Sequence, residues 1–344
     1  MNYYDGTKLL SLKDMNGETP ELYFVVGNRT GGKTTWFNRY LINRFKKNGY
    51  KFMLLYRWGY ELTDVANKFF KDIGELFFPD DTMTEIVRAK GKYIELFLNE
   101  QSCGYAVCLN SANSVKKLSH YFNDVERIVF DEFMPEDGVY CPNELDKFQS
   151  IHMSVSRGHG KAVRYVPVFL ISNAVTLLNP YFEALGIGVR LQRDTKFLKG
   201  DGFIVESYFN EEAHQAQGQS AFNRAFNSSK YQVYAGQNIY LNDNLTFIEK
   251  LSGLNDYVVT IKYKGVDYAI RRYPELGLLY CDKRVDGSFP LKISATKDDH
   301  SLNYVMLENY RLLILQFRHF FNNGCFRFKD LSCKDGIMSI IGIY

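Results

Sequence analysis

Several kinds of site and segment are missing from this 344-residue sequence. Its six cysteines include no C-x-x-C pair and no spacing with histidine that would hold a metal, so neither a zinc site nor a disulfide framework is predicted. No apolar run approaches the ~20 residues that a membrane-spanning helix needs. The N-terminal sequence, MNYYDGTKLL, lacks the apolar segment of a secretory signal. We therefore expect a soluble intracellular protein with reduced thiols and no membrane partner.

A strong excess of charge is also absent. The formal net charge is +3, so any surface that binds nucleic acid must be a local patch rather than a global field. We find no internal repeat and no low-complexity tract. The length suits two domains, and a hydrophobic content of 46% can fill a sizeable core.

One stretch carries specific chemistry, residues 21–38, with the sequence ELYFVVGNRTGGKTTWFN. Its apolar first part predicts a strand, its glycines predict a turn, and a helix is expected to begin at Lys33–Thr34. The spacing fits G-x-x-x-x-G-K-[ST], a loop whose backbone N–H groups cradle polyphosphate at a helix N-terminus. We expect Lys33 to reach the β- and γ-phosphates of ATP and the Thr34 hydroxyl to bind Mg²⁺. The predicted nucleotide-binding residues are Gly27, Asn28, Arg29, Thr30, Gly31, Gly32, Lys33, Thr34 and Thr35.

A second landmark is the sequence RIVFDEFMP at 127–135, an apolar strand that ends in two acids. In a P-loop fold, Asp131 would bind Mg²⁺ and Glu132 would activate the attacking water as a general base. A water-activating acid indicates hydrolysis of the nucleotide rather than binding alone.

Two further residues are candidates for the catalytic site. Asn173 follows an apolar strand predicted at 166–171, where its amide could contact the γ-phosphate or the water. Arg157 lies in a glycine-rich basic turn, from which a guanidinium could reach a neighbouring subunit's γ-phosphate, with Arg164 as a second candidate. A loop arginine in solvent is the alternative.

The sequence leaves the roles of two pairs of residues open. Lys116 and Lys117 suit contact with the DNA phosphate backbone, but an exposed helix end explains them equally well. Tyr3 and Tyr4 are either part of a mobile N-terminal arm or stack on the adenine base.

The order of elements predicts an α/β fold with a mainly parallel sheet. Helices are expected at 34–47 and 63–77 and strands at 51–56, 93–98, 105–109 and 128–130. We place the P-loop domain at 1–195, a partly helical linker at 196–240 and a small α+β domain at 241–344. The last domain is expected to contain strands at 245–250, 257–264, 266–272 and 278–282 and a helix at 303–321.

Taken together, these motifs resemble one family, the DNA-packaging (encapsidation) motor ATPases of small phi-twenty-nine-like short-tailed phages. The resemblance rests on G-N-R-T-G-G-K-T, R-I-V-F-D-E-F, S-V-S-R-G, and L-I-S-N-A-V-x-x-x-N-P-Y-F. F-I-E-K near residue 248 and N-G-x-x-R-F near residue 325 extend it over nearly the whole chain.

The resemblance implies an additional-strand (ASCE) P-loop ATPase, similar to large terminases, that pushes double-stranded DNA into a prohead. It implies a homomeric ring, a pentamer, that works in the host cytoplasm while docked on the portal with a packaging RNA. Arg157 matches the family's trans arginine finger and Arg29 an arginine in its P-loop. Lys116 and Lys117 lie close to, but not on, a pore-lining lysine of the family.

The resemblance also implies that the C-terminal domain is RNase H-like and has lost its catalysis. Asp267, Asp282 and Asp298 form no compelling acidic triad for two metals, which agrees with a binding role. Three alternatives to the packaging motor are another ring-forming P-loop translocase or helicase, a stand-alone P-loop enzyme, and a nucleotide-gated scaffold without turnover.

Overall fold

A computed structural model describes residues 3–157, 163–175, 177, 179–187, 190–191, 195–212, 215, 219 and 247–342. The chain divides into two compact units. The first comprises Met1–Thr176 and Arg193–Leu241, and the second Leu177–Gln192 and Asn242–Tyr344. None of the helices in the described ranges has the length and apolar composition that crossing a bilayer requires.

The first unit is built on a nine-stranded sheet. Its strands are β1 (Leu22–Gly27), β2 (Lys51–Tyr56), β3 (Met83–Arg88), β4 (Tyr93–Leu98), β5 (Gln101–Cys108), β6 (Val125–Asp131), β7 (Val168–Asn173), β8 (Phe197–Lys199) and β9 (Phe203–Tyr208). The central strands pair in parallel, and only β3 with β4, β4 with β5 and β8 with β9 are antiparallel. Central strands such as β1 and β7 read as continuous apolar runs because both faces of the sheet are covered.

Helices cover this sheet. They are α1 (Thr7–Ser11), α2 (Lys33–Asn48), α3 (Val65–Phe77), α4 (Ala112–Lys117) and α5 (Glu144–Val155). Helix α2 buries Phe37, Leu41 and Ile42 at helical spacing and joins the main core. Its last residue, Asn48, is followed by Gly49, whose φ of 71° provides the left-handed C-terminal turn.

The strand order is β3-β4-β5-β2-β6-β7-β1-β9-β8. Strand β7 therefore lies between β1, which leads into the glycine turn, and β6, which ends in the acidic pair. Because these strands are parallel, their carboxyl ends meet at one edge of the sheet. The loop residues predicted to act together are thus brought to one place.

The second unit contains a six-stranded mixed sheet with the order β14-β13-β10-β11-β12-β15. Its strands are β10 (Asp256–Tyr263), β11 (Val266–Tyr273), β12 (Leu278–Asp282), β13 (Lys292–Ser294), β14 (Val305–Met306) and β15 (Phe326–Phe328), and its helices are α6 (Pro180–Ala184), α7 (Arg311–Asn322) and α8 (Leu331–Gly342). Helices α7 and α8 place Ile314, Phe317 and Ile337 in the core of this unit. The Tyr263 hydroxyl donates to Glu183 Oε1 at 2.6 Å, which ties α6 to β10.

The structure corrects several of the expected elements. Residues 197–199 and 203–208, placed in the linker by the sequence analysis, are strands of the first sheet, because β9 pairs in parallel with β1. The expected helix at 303–321 starts only at Arg311, after a short strand and a 3₁₀ turn. Of the strand expected at 245–250, the described part has a single bridge, Ile248 with Phe328. Most of the linker expected at 196–240, including its expected helical part after residue 212, lies outside the described residues.

Candidate nucleotide-binding site

A polar cavity of about 200 Å³ opens at the carboxyl ends of β1, β6 and β7. Its lining residues come from the glycine turn, the acidic pair and the end of β7. They are Thr30, Gly31, Gly32, Lys33, Thr34, Thr35, Asp131, Glu132, Ile171, Ser172 and Asn173. The structure therefore brings together Lys33, Thr34, Asp131, Glu132 and Asn173, as the sequence predicted.

The glycine turn has the backbone shape that an anion cradle needs. Gly32 directly precedes α2 with a φ of 84°, and Thr30 has a φ of 58°. The left-handed conformation favours glycine at position 32. Gly27 is required for a different reason, since a Cβ there would lie 2.4 Å from the Tyr208 carbonyl oxygen of β9. Glycine at position 27 thus serves the packing of β1 on β9 and not only access for phosphate.

Three of the predicted nucleotide-binding residues do not line the cavity. Gly27 ends β1, and Asn28 is buried behind the turn. The Asn28 side chain donates to the Asn210 carbonyl at 2.9 Å and accepts from the Asn210 N–H at 2.9 Å. Arg29 forms an ion pair with Glu136. These three residues therefore shape the turn from the side away from the cavity, whereas residues 30–35 line the cavity.

Lys33 is a buried cation at the bottom of the cavity. It is 5% exposed, and its ammonium donates to the Asn28 carbonyl at 2.7 Å. Burial lowers the pKa of Lys33 to about 8, and the negative charge of Asp131 opposes this shift. A desolvated ammonium gains most from an added anion, which is what a bound triphosphate supplies.

Asp131 ends β6 beside the start of α2. Burial raises its pKa, while a hydrogen bond from the Thr34 hydroxyl and the charge of Lys33 oppose the increase. A hydroxyl and a carboxylate are oxygen ligands of the kind that Mg²⁺ prefers, and a divalent cation would offset the cost of burying the carboxylate. The donor set of Thr34 and Asp131 therefore fits Mg²⁺.

Glu132 follows in a left-handed backbone conformation, with a φ of 56°. Its N–H donates to Asp131 Oδ1 at 3.0 Å. Partial burial raises the pKa of Glu132, the charges of Asp131 and Glu136 add to the increase, and Arg29 opposes it. A non-glycine residue held in this conformation stores backbone strain, and here the strain lies beside the cavity.

Arg57, directly after β2, makes contacts that no sequence pattern predicted. Its guanidinium is 5% exposed and donates to the carbonyls of Glu132 at 3.2 Å and Phe133 at 2.8 Å. The same guanidinium binds both carboxylate oxygens of Glu144, the first residue of α5. A lone arginine after an apolar strand belongs to no short motif, so no sequence signal pointed to this contact.

The arginines after α5 differ in their surroundings. Arg157 is exposed, forms an isolated bridge with Val163, and is not among the residues lining the cavity of its own chain. Arg164 is bound within its own chain, to the carbonyls of Asn123 and Val125 and to Glu126 Oε1. The second candidate for an arginine finger is therefore better explained as a structural residue.

Lys116 and Lys117 are both exposed and form the last turn of α4. Exposure at a helix end agrees both with contact to DNA phosphates and with a solvated helix end, so the prediction of DNA contact stays a prediction.

The two N-terminal tyrosines differ in exposure: Tyr4 is 3% exposed in the core and Tyr3 is 66% exposed. The adenine-stacking interpretation is therefore wrong for Tyr4.

These features define a class of protein. A glycine turn before a helix, an acidic pair at the end of β6 and a further strand between them are the arrangement of an additional-strand P-loop ATPase. The model of one family, described as Podovirus DNA encapsidation protein (Gp16), matches residues 1–340. The chain belongs to this family, and the resemblance inferred from the sequence is confirmed.

Comparison with individual proteins agrees. The chain is 29% identical to the DNA packaging protein of Bacillus phage phi29 over 332 residues, covering 95% of this chain and 93% of the relative. It is similar to a chain of the bacteriophage Phi-29 viral genome packaging motor assembly, with 26% identity, a TM-score of 0.61 and coverage of 97% and 96%. A chain of the Phi-28 gp11 DNA packaging motor shares the fold, with a TM-score of 0.66 at 18% identity, covering 99% of this chain and 97% of that one.

Proposed function

We propose that this chain is the ATP-hydrolysing subunit of a homomeric ring that moves double-stranded viral DNA into a preformed prohead. The observation that carries the proposal is the convergence of Lys33, Asp131 and Glu132 on one cavity in a chain of the encapsidation family. This arrangement supplies a phosphate cradle, a cation ligand and a base, which are the groups that nucleotide hydrolysis needs.

The roles follow from the positions. The N–H groups of residues 31–35 and the Lys33 ammonium bind the phosphates of ATP. Thr34 and Asp131 would hold Mg²⁺, which when bound neutralises phosphate charge. Glu132 accepts a proton from water as the water oxygen attacks the γ-phosphorus, the bond to the β,γ-bridging oxygen breaks, and ADP and phosphate leave. The Asn173 amide orients the water or the γ-phosphate.

The proposal that the subunits form a ring depends on Arg157. An exposed guanidinium outside its own cavity suits donation to the adjacent subunit, where it would stabilise charge on the transferred phosphoryl group. ATP would then close the subunit interface and hydrolysis would release it. We propose five subunits, docked on the portal together with a packaging RNA, in the cytoplasm of the host.

Contact with DNA needs no reading of bases. Lys116 and Lys117 present two ammonium groups at one helix end, and contacts with phosphates permit movement on any sequence. These lysines are therefore our candidates for the DNA-contacting element.

We propose that the second unit binds nucleic acid without cutting it. Asp282 pairs with Arg271 at 3.4 Å, Asp267 accepts from the Tyr304 hydroxyl at 3.0 Å, and Asp298 is exposed. In the described ranges, no three acidic, histidine or cysteine side chains come together to hold a metal. Cleavage of plasmid DNA with Mn²⁺ that disappears in Asp267→Asn or Asp282→Asn would contradict this part of the proposal.

The decisive experiment combines purified protein, proheads, packaging RNA and double-stranded DNA. We expect DNA to stimulate ATP hydrolysis and to become protected from added nuclease as it enters the prohead. Hydrolysis without any protected DNA would contradict translocation. Full activity in a strict monomer would favour a stand-alone enzyme, and a ring that moves DNA without a prohead would favour another translocase.

A further inference from the structure

We propose that Tyr3 is the platform on which the base of the bound nucleotide stacks, so that the N-terminal segment completes the ATP site. This inference rests on the proposed function, because it requires that a nucleoside triphosphate occupies the P-loop. It assigns the base a place, whereas the cavity described above accounts only for the phosphates.

The segment that carries Tyr3 is anchored to the P-loop. The N–H of the next residue, Tyr4, donates to the Gly31 carbonyl at 2.9 Å. The Tyr4 ring is buried, with its centroid 4.9 Å from that of Tyr208 and 5.9 Å from that of Trp36. Its hydroxyl donates to Glu206 Oε2 at 2.7 Å. Position 3 is thus fixed against the turn that binds phosphate and does not belong to a loose arm.

The anchoring continues on the other side of Tyr4. The Asp5 carboxylate accepts from the N–H and the hydroxyl of Thr7, at 2.9 and 2.6 Å, and also from the Trp36 side chain of α2. Leu9 is fully buried in the main core. The backbone around Tyr3 is therefore held by the P-loop, by β9 and by α2.

Tyr3 itself lies over the P-loop with its ring in solvent. A Cβ on Gly32 would be 3.0 Å from Tyr3 Cδ1 and 3.2 Å from its Cβ, so the ring is in close contact with the residue before Lys33. The residue is nevertheless 66% exposed. Among the described residues, its ring pairs with no other aromatic ring and its hydroxyl makes no hydrogen bond. An aromatic ring that is held in place yet left open on one face is suited to stack on a partner from solution.

The P-loop geometry suggests which partner this is. The γ-phosphate end of the triphosphate points to Lys33, Asp131 and Glu132, so the α-phosphate, ribose and base leave the cradle away from the acidic pair. Tyr3 lies beside Gly32 and outside the acidic lining of the cavity. Stacking on an aromatic ring is worth on the order of a tenfold change in affinity and depends on the π-face of the base. A purine, with two fused rings, gives the larger overlap.

The test compares a nucleotide with the same phosphates lacking a base. We would measure Mg-ATP and Mg-tripolyphosphate binding by calorimetry for the wild type, Tyr3→Phe, Tyr3→Ala and Tyr121→Ala. The last is a matched control, since Tyr121 is also exposed on the same unit. We expect Tyr3→Ala to weaken ATP binding by about tenfold while tripolyphosphate binding changes less than twofold. Tyr3→Phe and Tyr121→Ala should bind both as the wild type does.

A spectroscopic readout checks the contact directly. The fluorescence of a 2-aminopurine nucleoside triphosphate should decrease on binding to the wild type and decrease less on binding to Tyr3→Ala. Each protein is added at a concentration that saturates the nucleotide. Equal weakening of ATP and tripolyphosphate would mean that Tyr3 supports only the P-loop backbone, and unchanged ATP binding would mean no stacking. Either result overturns the inference. If the wild type bound neither ligand, the proposed function itself would fail.

Discussion

Arg57 and Glu144 form a buried bidentate ion pair, with Nε 2.9 Å from Oε2 and Nη2 3.0 Å from Oε1. The same guanidinium holds the carbonyls of Glu132 and Phe133, so Arg57 joins the loop of the proposed base to the first turn of α5. Helix α5 leads, two residues beyond its end, to Arg157. One arginine thus positions both the acid of the site and the helix before the arginine proposed to serve the neighbouring site.

Two different substitutions of Arg57 should therefore report on its contribution to stability and on its contribution to catalysis. Arg57→Ala removes the cation that pairs with the buried Glu144 carboxylate, and we expect a loss of about 3–5 kcal/mol in the free energy of unfolding. Arg57→Lys keeps a charge but not the four bonds, so the Glu132 loop shifts and kcat should fall about 10- to 100-fold with little change in KM. Denaturant titration and steady-state ATPase assays measure the two effects. Arg88→Ala, which breaks a partly exposed pair with Glu95, should cost less than about 1 kcal/mol.

Glu132→Gln should separate binding from turnover. The amide cannot accept the proton of the attacking water, so we expect kcat to fall by about 10²- to 10⁴-fold while ATP still binds. Lys33→Ala should instead abolish tight binding, because it removes the buried cation. Single-turnover hydrolysis and nucleotide titration give both values. Glu100→Gln is the matched control, since Glu100 is exposed and does not line the cavity. Unimpaired DNA import by Glu132→Gln would favour a scaffold that needs no hydrolysis.

The proposed sharing of Arg157 can be tested by mixing subunits. Arg157→Ala alone should lower kcat by about 10³-fold or more with ATP binding kept. Mixed rings of Arg157→Ala and Glu132→Gln subunits should regain part of the activity, since some interfaces then combine an intact Arg157 with an intact Glu132 from different chains. Mixed rings with no gain over the separate variants would indicate that the arginine acts within its own chain, or not at all.

Gly27→Ala should disrupt the back of the P-loop. The added Cβ would meet the Tyr208 carbonyl at 2.4 Å, and backbone on both sides leaves little room for adjustment. We expect a loss of about 1–3 kcal/mol in the free energy of unfolding, together with weaker nucleotide binding. Chemical denaturation followed by circular dichroism measures the first effect. Gly287→Ala is the control, since nothing lies within 4 Å of a Cβ there. Equal stability of the two variants would disprove the packing argument.

His152 gives a pH dependence of stability. Burial lowers its pKa, but hydrogen bonds to Glu21 and to the Val166 carbonyl, with the charge of Glu21, outweigh burial and raise it above the usual value near 6.5. A histidine whose pKa is raised in the folded state stabilises that state fully at pH values below its unfolded-state pKa. This contribution disappears as the pH rises through its folded-state pKa. Glu21 has a lowered pKa, also with burial opposing, so its contribution disappears as the pH falls through that lowered value.

The pair should therefore stabilise most in mildly acidic solution, above the titration of Glu21 and below about pH 6.5. Comparing the Tm of wild type and His152→Gln at pH 6 and pH 8 tests this. We expect a larger difference at pH 6, equivalent to less than about 1 kcal/mol because the pair is partly exposed. A larger difference at pH 8 would contradict the sign of the shift.

Much of the site could be predicted because its residues sit in local motifs. Lys33, Thr34, Asp131 and Glu132 follow apolar strands at recognisable spacings, and parallel pairing brings strand ends together. Strand β9 was missed because its place beside β1 depends on a pairing about 180 residues apart in sequence, and the Gly- and Asn-rich stretch after it favoured a linker. The contacts of Arg57 and the buried position of Tyr4 were missed because they arise from pairing with Glu144 and Glu206, which no local pattern encodes.

Two reciprocal hydrogen bonds between Asn28 and Asn210 join the P-loop to the segment that follows strand β9. Asn28 supplies the carbonyl on which the Lys33 ammonium rests, and its side chain occupies both backbone groups of the residue where the chain leaves the sheet. Residue 210 is followed by the stretch that runs on in sequence to the second unit. The nucleotide cradle and the first residues after β9 are consequently joined by two hydrogen bonds, so a movement of Asn28 would also move Asn210.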